Sequence, residues 1–289
     1  MKDSGLVFLK DFAELQVLGE DSREFLQGQI SADMEKISEI NSSLGCLCNV
    51  KGRVISSFYI IKNNSDDSFS LIGPKQTIKR TFEELSKYIP FYKSKMEVVD
   101  KSNLFGCKKE TSEVLFGSID FVMQNTINYQ DLKLLHFLDK HFILIYASED
   151  LSKTLKAIST NDPSEWTLDE INNRNVEIEE NTSQLYLPHE LHYHESGRID
   201  FKKGCYTGQE IIARMQYRSK TLPVLYILES EKEVKRNMVI TKRNSDKKIG
   251  NVVSSVKSGT GFIFLASISK NLEEKEVRIR ELNLDLSIN

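Results

Sequence analysis

The sequence predicts an α+β protein that ends in a small all-β domain, and three observations carry that expectation. KQTIKRTFEELSKYI, beginning at Lys75, puts Ile78, Phe82, Leu85 and Ile89 on one helical face. Alternating, strand-like runs flank it on both sides. From Thr221 onward the pattern changes to short strands with polar or glycine breaks: VLYILES, MVITKRN, KIGNVVSSV, GFIFLASIS and VRIRELNLDLSI. The expected division is a body over residues 1–219 and a β-barrel domain over 220–289.

Taken in order, LVFLKDFAELQVLG at 6–19 reads as one strand. DSREFLQGQI then opens a helix, with Asp21 as N-cap and Glu24 three residues on, the spacing of a capping box. LGCLCNVKGRVISSFYII at 44–61 reads as two strands turning at Lys51-Gly52, NNSDDS as a turn, and FSLIG as a strand. Beyond the amphipathic helix, MEVVD, VLFGSIDFVM and LKLLHFLDKHFILIYA read as strands. Asp150 caps a short helix, and Pro163 suits the first turn of another.

Hydrophobic residues make up 39% of the chain and charged residues 28%, as in an ordinary globular protein. The formal net charge of −3 excludes a global basic field for nucleic acid or an anionic membrane. Charges interrupt the N-terminus before a secretory h-region could form, and the most apolar run, FILIYA at 142–147, is too short to span a bilayer. Cys46, Cys48, Cys107 and Cys205 are few and unevenly spaced, which suits free thiols in a reducing compartment, so the expected location is cytoplasmic.

KKGCYTGQEIIAR at 202–214 is the most informative stretch. Thr207 as N-cap with Glu210 at the third helical position makes a capping box, and Tyr206 can pack on Ile211 as a hydrophobic staple. Cys205 then lies beside a helix N-terminus with Lys202 and Lys203 just upstream, and both features favour a thiolate. The same residues also suit a plain capped helix with a buried cysteine.

This motif, K-G-C-Y-T-G-Q-E followed by Ala213-Arg214, resembles the signature of the YgfZ-type folate-binding proteins, relatives of the glycine-cleavage T-protein that support iron–sulfur proteins. FLQGQISAD at 25–33, CNVKGR at 48–53, YLPHEL at 186–191, and IGNVVSSV and FLASIS near the C-terminus are similar to other segments of that family. The resemblance implies a T-protein-like ring of mixed α/β subdomains around a central folate pocket, with a C-terminal β-barrel. It also implies that Cys205 is the residue on which function depends. Two departures stand out. INNRNVEI at 171–178 has Arg174 where relatives carry a glycine. GRVISS has Ser56 and Ser57 where the aminomethyltransferases carry an aspartate pair, and a serine hydroxyl cannot act as a carboxylate base near neutral pH. This argues against classical methylene transfer.

Other groupings carry less. His189, His192 and His194 lack the H-E-x-x-H spacing, so no metal site is expected there. Cys46 and Cys48 form a C-x-C pair without a recognised cluster spacing, and on a strand both would face one way. Between 202 and 220, Lys202, Lys203, Arg214, Arg218 and Lys220 outnumber Glu210, a patch that suits a folate glutamate tail, an acidic partner or a solvated helix face.

The resemblance therefore implies a tetrahydrofolate-binding accessory factor for iron–sulfur cluster assembly or repair. Cys205 is its expected reactive thiol, and Lys203, Tyr206, Gln209, Glu210 and Arg214 are expected to shape and charge the mouth of the folate pocket. Expected partners are a folate and iron–sulfur client or assembly proteins, without membrane or direct nucleic-acid contact. Two readings stay open beside it: a folate-dependent one-carbon transferase and a Cys/His hydrolase.

Overall fold

The chain turns at Lys10-Asp11, where the Phe12 amide donates to the Leu9 carbonyl at 3.0 Å. The stretch expected as one strand is therefore two, β1 (Leu6–Phe8) and β2 (Phe12–Gly19), and they enter different sheets. The computed structural model describes residues 5–63, 67–100, 103–118, 124–129, 131–137, 142–219, 221–270 and 276–288.

In α1 (Ser22–Gln29), Asp21 stands at the N-cap without capping it. Its carboxylate accepts from the Lys93 amide instead. β3 (Ser43–Cys48), β4 (Val54–Lys62) and β5 (Phe69–Pro74) fall where the alternation placed them, and α2 (Lys75–Leu85) ends before Ile89. β6 (Ser94–Val99) is followed by β7 (Leu104–Lys108), which the sequence reading did not anticipate. The start of the VLFGSIDFVM run belongs to a helix, α3 (Lys109–Phe116), closed by Gly117 at φ 84°; residues 119–123 of that run lie outside the described residues.

β8 (Thr126–Tyr129), β9 (Leu132–His136) and β10 (Phe142–Ala147) lead to α4 (Glu149–Ile158). Ser148, not Asp150, caps α4, its hydroxyl accepting from the Leu151 amide. α5 (Ser164–Asn172) starts directly after Pro163. An irregular stretch then runs to α6 (Gln209–Arg218).

The remaining strands are β11 (Val224–Ser230), β12 (Val239–Lys242), β13 (Lys248–Ser258), β14 (Gly261–Ile268), β15 (Glu276–Ile279) and β16 (Leu284–Ser287). The last predicted strand divides in two at Asn283, which takes the left-handed conformation.

Three antiparallel sheets result, in the orders β1-β7-β10-β9-β8, β3-β4-β5-β2-β6 and β11-β14-β13-β12-β15-β16. The first two sheets share a core of Val7, Leu44, Tyr59, Ile72, Leu135 and Trp166. The second sheet buries its other face under α1 and α2, through Phe25, Leu26, Ile78 and Leu85. Each such side chain contributes about 1.5–3 kcal/mol of burial. A further core, with Val54, Ile171, Tyr193, Tyr206 and Leu265, joins the second sheet, the irregular stretch and the third sheet. This is the α+β architecture with a curled C-terminal β-sheet that the sequence predicted. No helix among the described residues is long and apolar enough to cross a membrane.

Candidate functional site

A cavity of about 590 Å³ opens where the three sheets' elements meet. Its walls come from the β1–β2 turn, the β5–α2 junction, α5, the stretch after it, and Arg236 from the β11–β12 connection. A volume in this range holds a drug-sized or cofactor-sized ligand.

Trp166 and Phe12 form the aromatic side. Trp166 is the chain's only tryptophan, and its ring lies flat on β7, where Gly106 has no side chain to displace it. Lys10, Lys75 and Arg236 supply positive charge at the lining. Arg236 is tethered to the Glu177 carbonyl at 3.2 Å and to the Glu179 carboxylate at 3.0 Å.

Two carboxyl groups line the same cavity in different surroundings. Glu177 is paired with Arg198, which is wholly buried, and it accepts from Ser57 Oγ at 2.5 Å and Asn175 Nδ2 at 3.2 Å. Arg198 also donates to the Gly45 and Phe58 carbonyls and lies over the Tyr193 ring at 5.1 Å. Glu170, only 6% exposed, has an Oε1 with no hydrogen-bond partner among the described residues. Burial, and next the negative charge of Glu177, push the Glu170 carboxyl well above the usual carboxylate range. A buried carboxyl without a partner is costly unless something in the cavity engages it.

Ser57 thus carries the carboxylate of Glu177 on its hydroxyl, while Ser56 bonds Thr81 at 2.6 Å. Arg174 does adopt the glycine-like conformation, at φ 49°, but its side chain reaches the Leu225 carbonyl and is not part of the cavity lining.

The motif residues lie elsewhere. None of Lys203, Cys205, Tyr206, Gln209, Glu210 and Arg214 lines this cavity. α6 begins at Gln209 behind Gly208, at φ 83°, so Thr207 is not its cap and the expected capping box is replaced. The Gln209 side chain accepts from the Tyr206 amide instead, at 3.2 Å. Gly208 is required here because a β-carbon would overlap the Asn49 carbonyl.

Lys203 turns inward rather than toward Cys205. Its ammonium donates to the carbonyls of Gln27, Ile30 and Ala32 at 2.7–2.8 Å, closing the C-terminal end of α1. Burial pulls it down to about 8. Tyr206 is buried beneath the motif, with the Lys203 ammonium 5.1 Å from its ring.

Cys205 is exposed and lines a shallow cleft with Glu20, Asp21, Glu24, Glu35 and Asp67 against Arg23. The surroundings of the thiol are therefore acidic, not cationic. Glu210, Arg214 and Arg218 are exposed along α6, and Lys220 of the expected basic patch lies outside the described residues. His189 bonds Gln216 and His192 bonds the Pro223 carbonyl, and no group of three His, Cys, Asp or Glu among the described residues is arranged to hold a metal.

Comparison with known proteins bears on both places. No protein-family model matches the chain. It is 27% identical over 283 residues to the tRNA-modifying protein YgfZ of Colwellia psychrerythraea, covering 94% of this chain and 87% of that one. The YgfZ of Aliivibrio fischeri is 25% identical over 285 residues, with 92% and 85% covered, and that of Pectobacterium carotovorum is 24% identical over 292 residues, with 96% and 87% covered. The glycine cleavage system aminomethyltransferase T from Bartonella henselae superposes with a TM-score of 0.71 over 98% of this chain and 84% of that one, at 15% identity. Across most of its length the chain is similar to YgfZ proteins, and it shares the fold of a glycine-cleavage T-protein.

Sequence reasoning missed Glu170, Glu177, Arg198 and Arg236, since nothing in their spacing links four distant charges to one cavity. The signal within reach was Trp166, a lone tryptophan on the helix that leads into the INNRNVEI stretch.

Proposed function

We propose that this protein is a tetrahydrofolate-binding accessory factor for iron–sulfur cluster assembly or repair. The observation that carries the folate part is the cavity in which the Glu170 Oε1 has no partner among the described residues, between an aromatic wall and a rim where Lys10, Lys75 and Arg236 stand among Asp11, Glu179 and Glu180. A pterin is flat and aromatic and presents N–H and carbonyl groups along its edge. Trp166 and Phe12 suit its faces, Glu170 suits its polar edge, and Lys10, Lys75 and Arg236 suit the anionic glutamate tail. Calorimetric titration with tetrahydrofolate, without oxygen, tests this: the expected result is saturable binding near one per chain, and absence of binding at millimolar ligand overturns it.

In this reading Cys205 is the reactive thiol, working from its exposed cleft and not from inside the folate cavity. Lys203, Tyr206, Gln209, Glu210 and Arg214 then hold and surround the motif, with Lys203 fixing it to α1. The partners are iron–sulfur client or assembly proteins. The relatives' name makes modified tRNA nucleosides a suitable cellular readout. Cys205→Ala is expected to fold normally and to lose the support of cluster enzymes in cells; full cluster-enzyme activity with that variant would remove the thiol from the account. We also propose that the chain divides into a body, 1–219, and a barrel domain, 220–289.

One observation favours a second reading, a folate-dependent one-carbon transferase. Glu177 brings a carboxylate to Ser57, where a carboxylate base seemed to be missing. Arg198 and Asn175 already engage that carboxylate. Product formation from a methylamine donor would support this reading. The hydrolase reading has no such support, since no histidine is among the residues lining the cleft at Cys205.

A further inference from the structure

The C-x-C pair has no role in the folate cavity, and its geometry is unusual enough to carry one. Cys46 and Cys48 are both buried and free, and their sulfurs are 3.8 Å apart on the same face of β3. A bulge between Leu47 and Cys48 in the β3–β4 pairing accompanies this approach. The Cys46 sulfur also lies 3.2 Å from the Ser31 hydroxyl.

Two cations flank the pair. Arg198 donates to the carbonyl of Gly45, the residue before Cys46. Lys203 donates to the carbonyls of Ile30 and Ala32, on either side of Ser31. We propose that Cys46 and Cys48 form a redox-active dithiol that a small peroxide closes to an intrastrand disulfide.

Each step balances. The Cys46 thiolate attacks one peroxide oxygen, the O–O bond breaks, and the departing hydroxide takes up a proton to leave as water. The resulting sulfenic acid is then attacked by Cys48. The S–O bond breaks as the S–S bond forms, and the hydroxide leaves as a second water with the Cys48 proton. Two thiols are oxidised by two electrons and one peroxide is reduced to two waters.

The electrostatics agree with this order of attack. Burial raises the Cys46 thiol, but the contacts with Cys48 and Ser31 and the charges of Arg198 and Lys203 outweigh it, so the net direction is down. Its bond to Cys46, then burial, push Cys48 well up. The opposite directions of the two shifts single out Cys46 as the attacking sulfur.

Reach is sufficient but strained. Two residues along a strand span about 6.6 Å, at the upper edge of the roughly 4.4–6.8 Å between α-carbons that a disulfide bridges. Such a bond reduces readily, as labile disulfides do. A metal is the poorer occupant, because no third ligand is arranged nearby among the described residues and both neighbouring charges are positive. Closure would also register at the motif. A β-carbon on Gly208 would lie 3.3 Å from the Cys48 β-carbon, and Tyr206 shares the same core cluster, so movement of Cys48 presses on the segment that carries Cys205.

The test is mass spectrometry of the native, full-length protein after graded hydrogen peroxide, acid quench and alkylation. Trypsin releases 37–51 with Cys46 and Cys48 and no other cysteine, and 204–214 with Cys205. The expected result is a 37–51 peptide two hydrogens lighter that takes no alkylating reagent, reverts with a phosphine reductant, and forms equally in Cys205→Ser. In Cys48→Ala, Cys46 is expected to stop at a sulfenic acid that dimedone traps. If 37–51 keeps both thiols at doses that oxidise Cys205, or passes to sulfinic acid without bridging, the pair is only a buried packing element and the proposal is overturned.

Discussion

Lys203 illustrates how one side chain can serve a purpose different from the one its position suggests. In sequence it adjoins Cys205 but one and would raise the local positive charge. In the fold its ammonium satisfies three carbonyls around the end of α1. Lys203→Met leaves those carbonyls without a donor and is expected to cost about 3 kcal/mol, measured as a lower urea midpoint, whatever happens to thiol reactivity.

His194 supplies a pH-dependent test at the same scale. Burial, and then the charges of its neighbouring histidines, pull it down to about 4 from 6.5. Between these values the unfolded chain binds a proton that the native chain does not, so stability falls as pH drops from about 6.5 toward 4. Asp169, raised to about 6 chiefly by burial, runs the other way: its native form takes up the proton first. The informative comparison is therefore parent against His194→Asn across that window, where the variant is expected to lose less stability on acidification.

At the scale of elements, the regular patterns were legible and their interruptions were not. α2 and the strands from β11 to β14 carry clean periodicity and lie within the runs that showed it, whereas α2 stops short of Ile89 and the last predicted strand divides at Asn283. α3 was read as strand because Val114, Leu115 and Phe116 look like a buried run, yet Val114 is 87% exposed and Gly117 ends a helix there. The cap of α6 moved from Thr207 to Gly208 because the helix must pack against Asn49 and Gly52, a constraint from more than 150 residues away that local preference cannot express. The same kind of long-range fit links β7 to the cavity. A β-carbon at Gly106 would overlap the Trp166 ring. Gly106→Ala is expected to cost about 1–3 kcal/mol and, by shifting Trp166, to weaken folate binding at least tenfold in calorimetry.

Across the whole molecule, the two informative places are separate. The motif that dominates the sequence covers the C-x-C hairpin and presents Cys205 to an acidic cleft, while the cavity lies where elements of all three sheets converge. The sequence expectation puts Cys205 and its neighbours at the mouth of a folate pocket, and none of them lines this cavity. The buried Arg198 spans part of the gap: it holds Glu177 at the cavity and the Gly45 carbonyl beside Cys46. Arg198 is thus a shared structural neighbour of the cavity and of the C-x-C pair.

The central claim is that a folate occupies the cavity against Trp166. Because the chain has one tryptophan, its emission reports on that wall alone. Titration with 5-formyltetrahydrofolate, corrected for absorption with Trp166→Phe, is expected to quench the emission saturably in the parent and equally in Cys205→Ala. Unchanged Trp166 emission at ligand concentrations that saturate calorimetry would place the folate elsewhere and contradict the account.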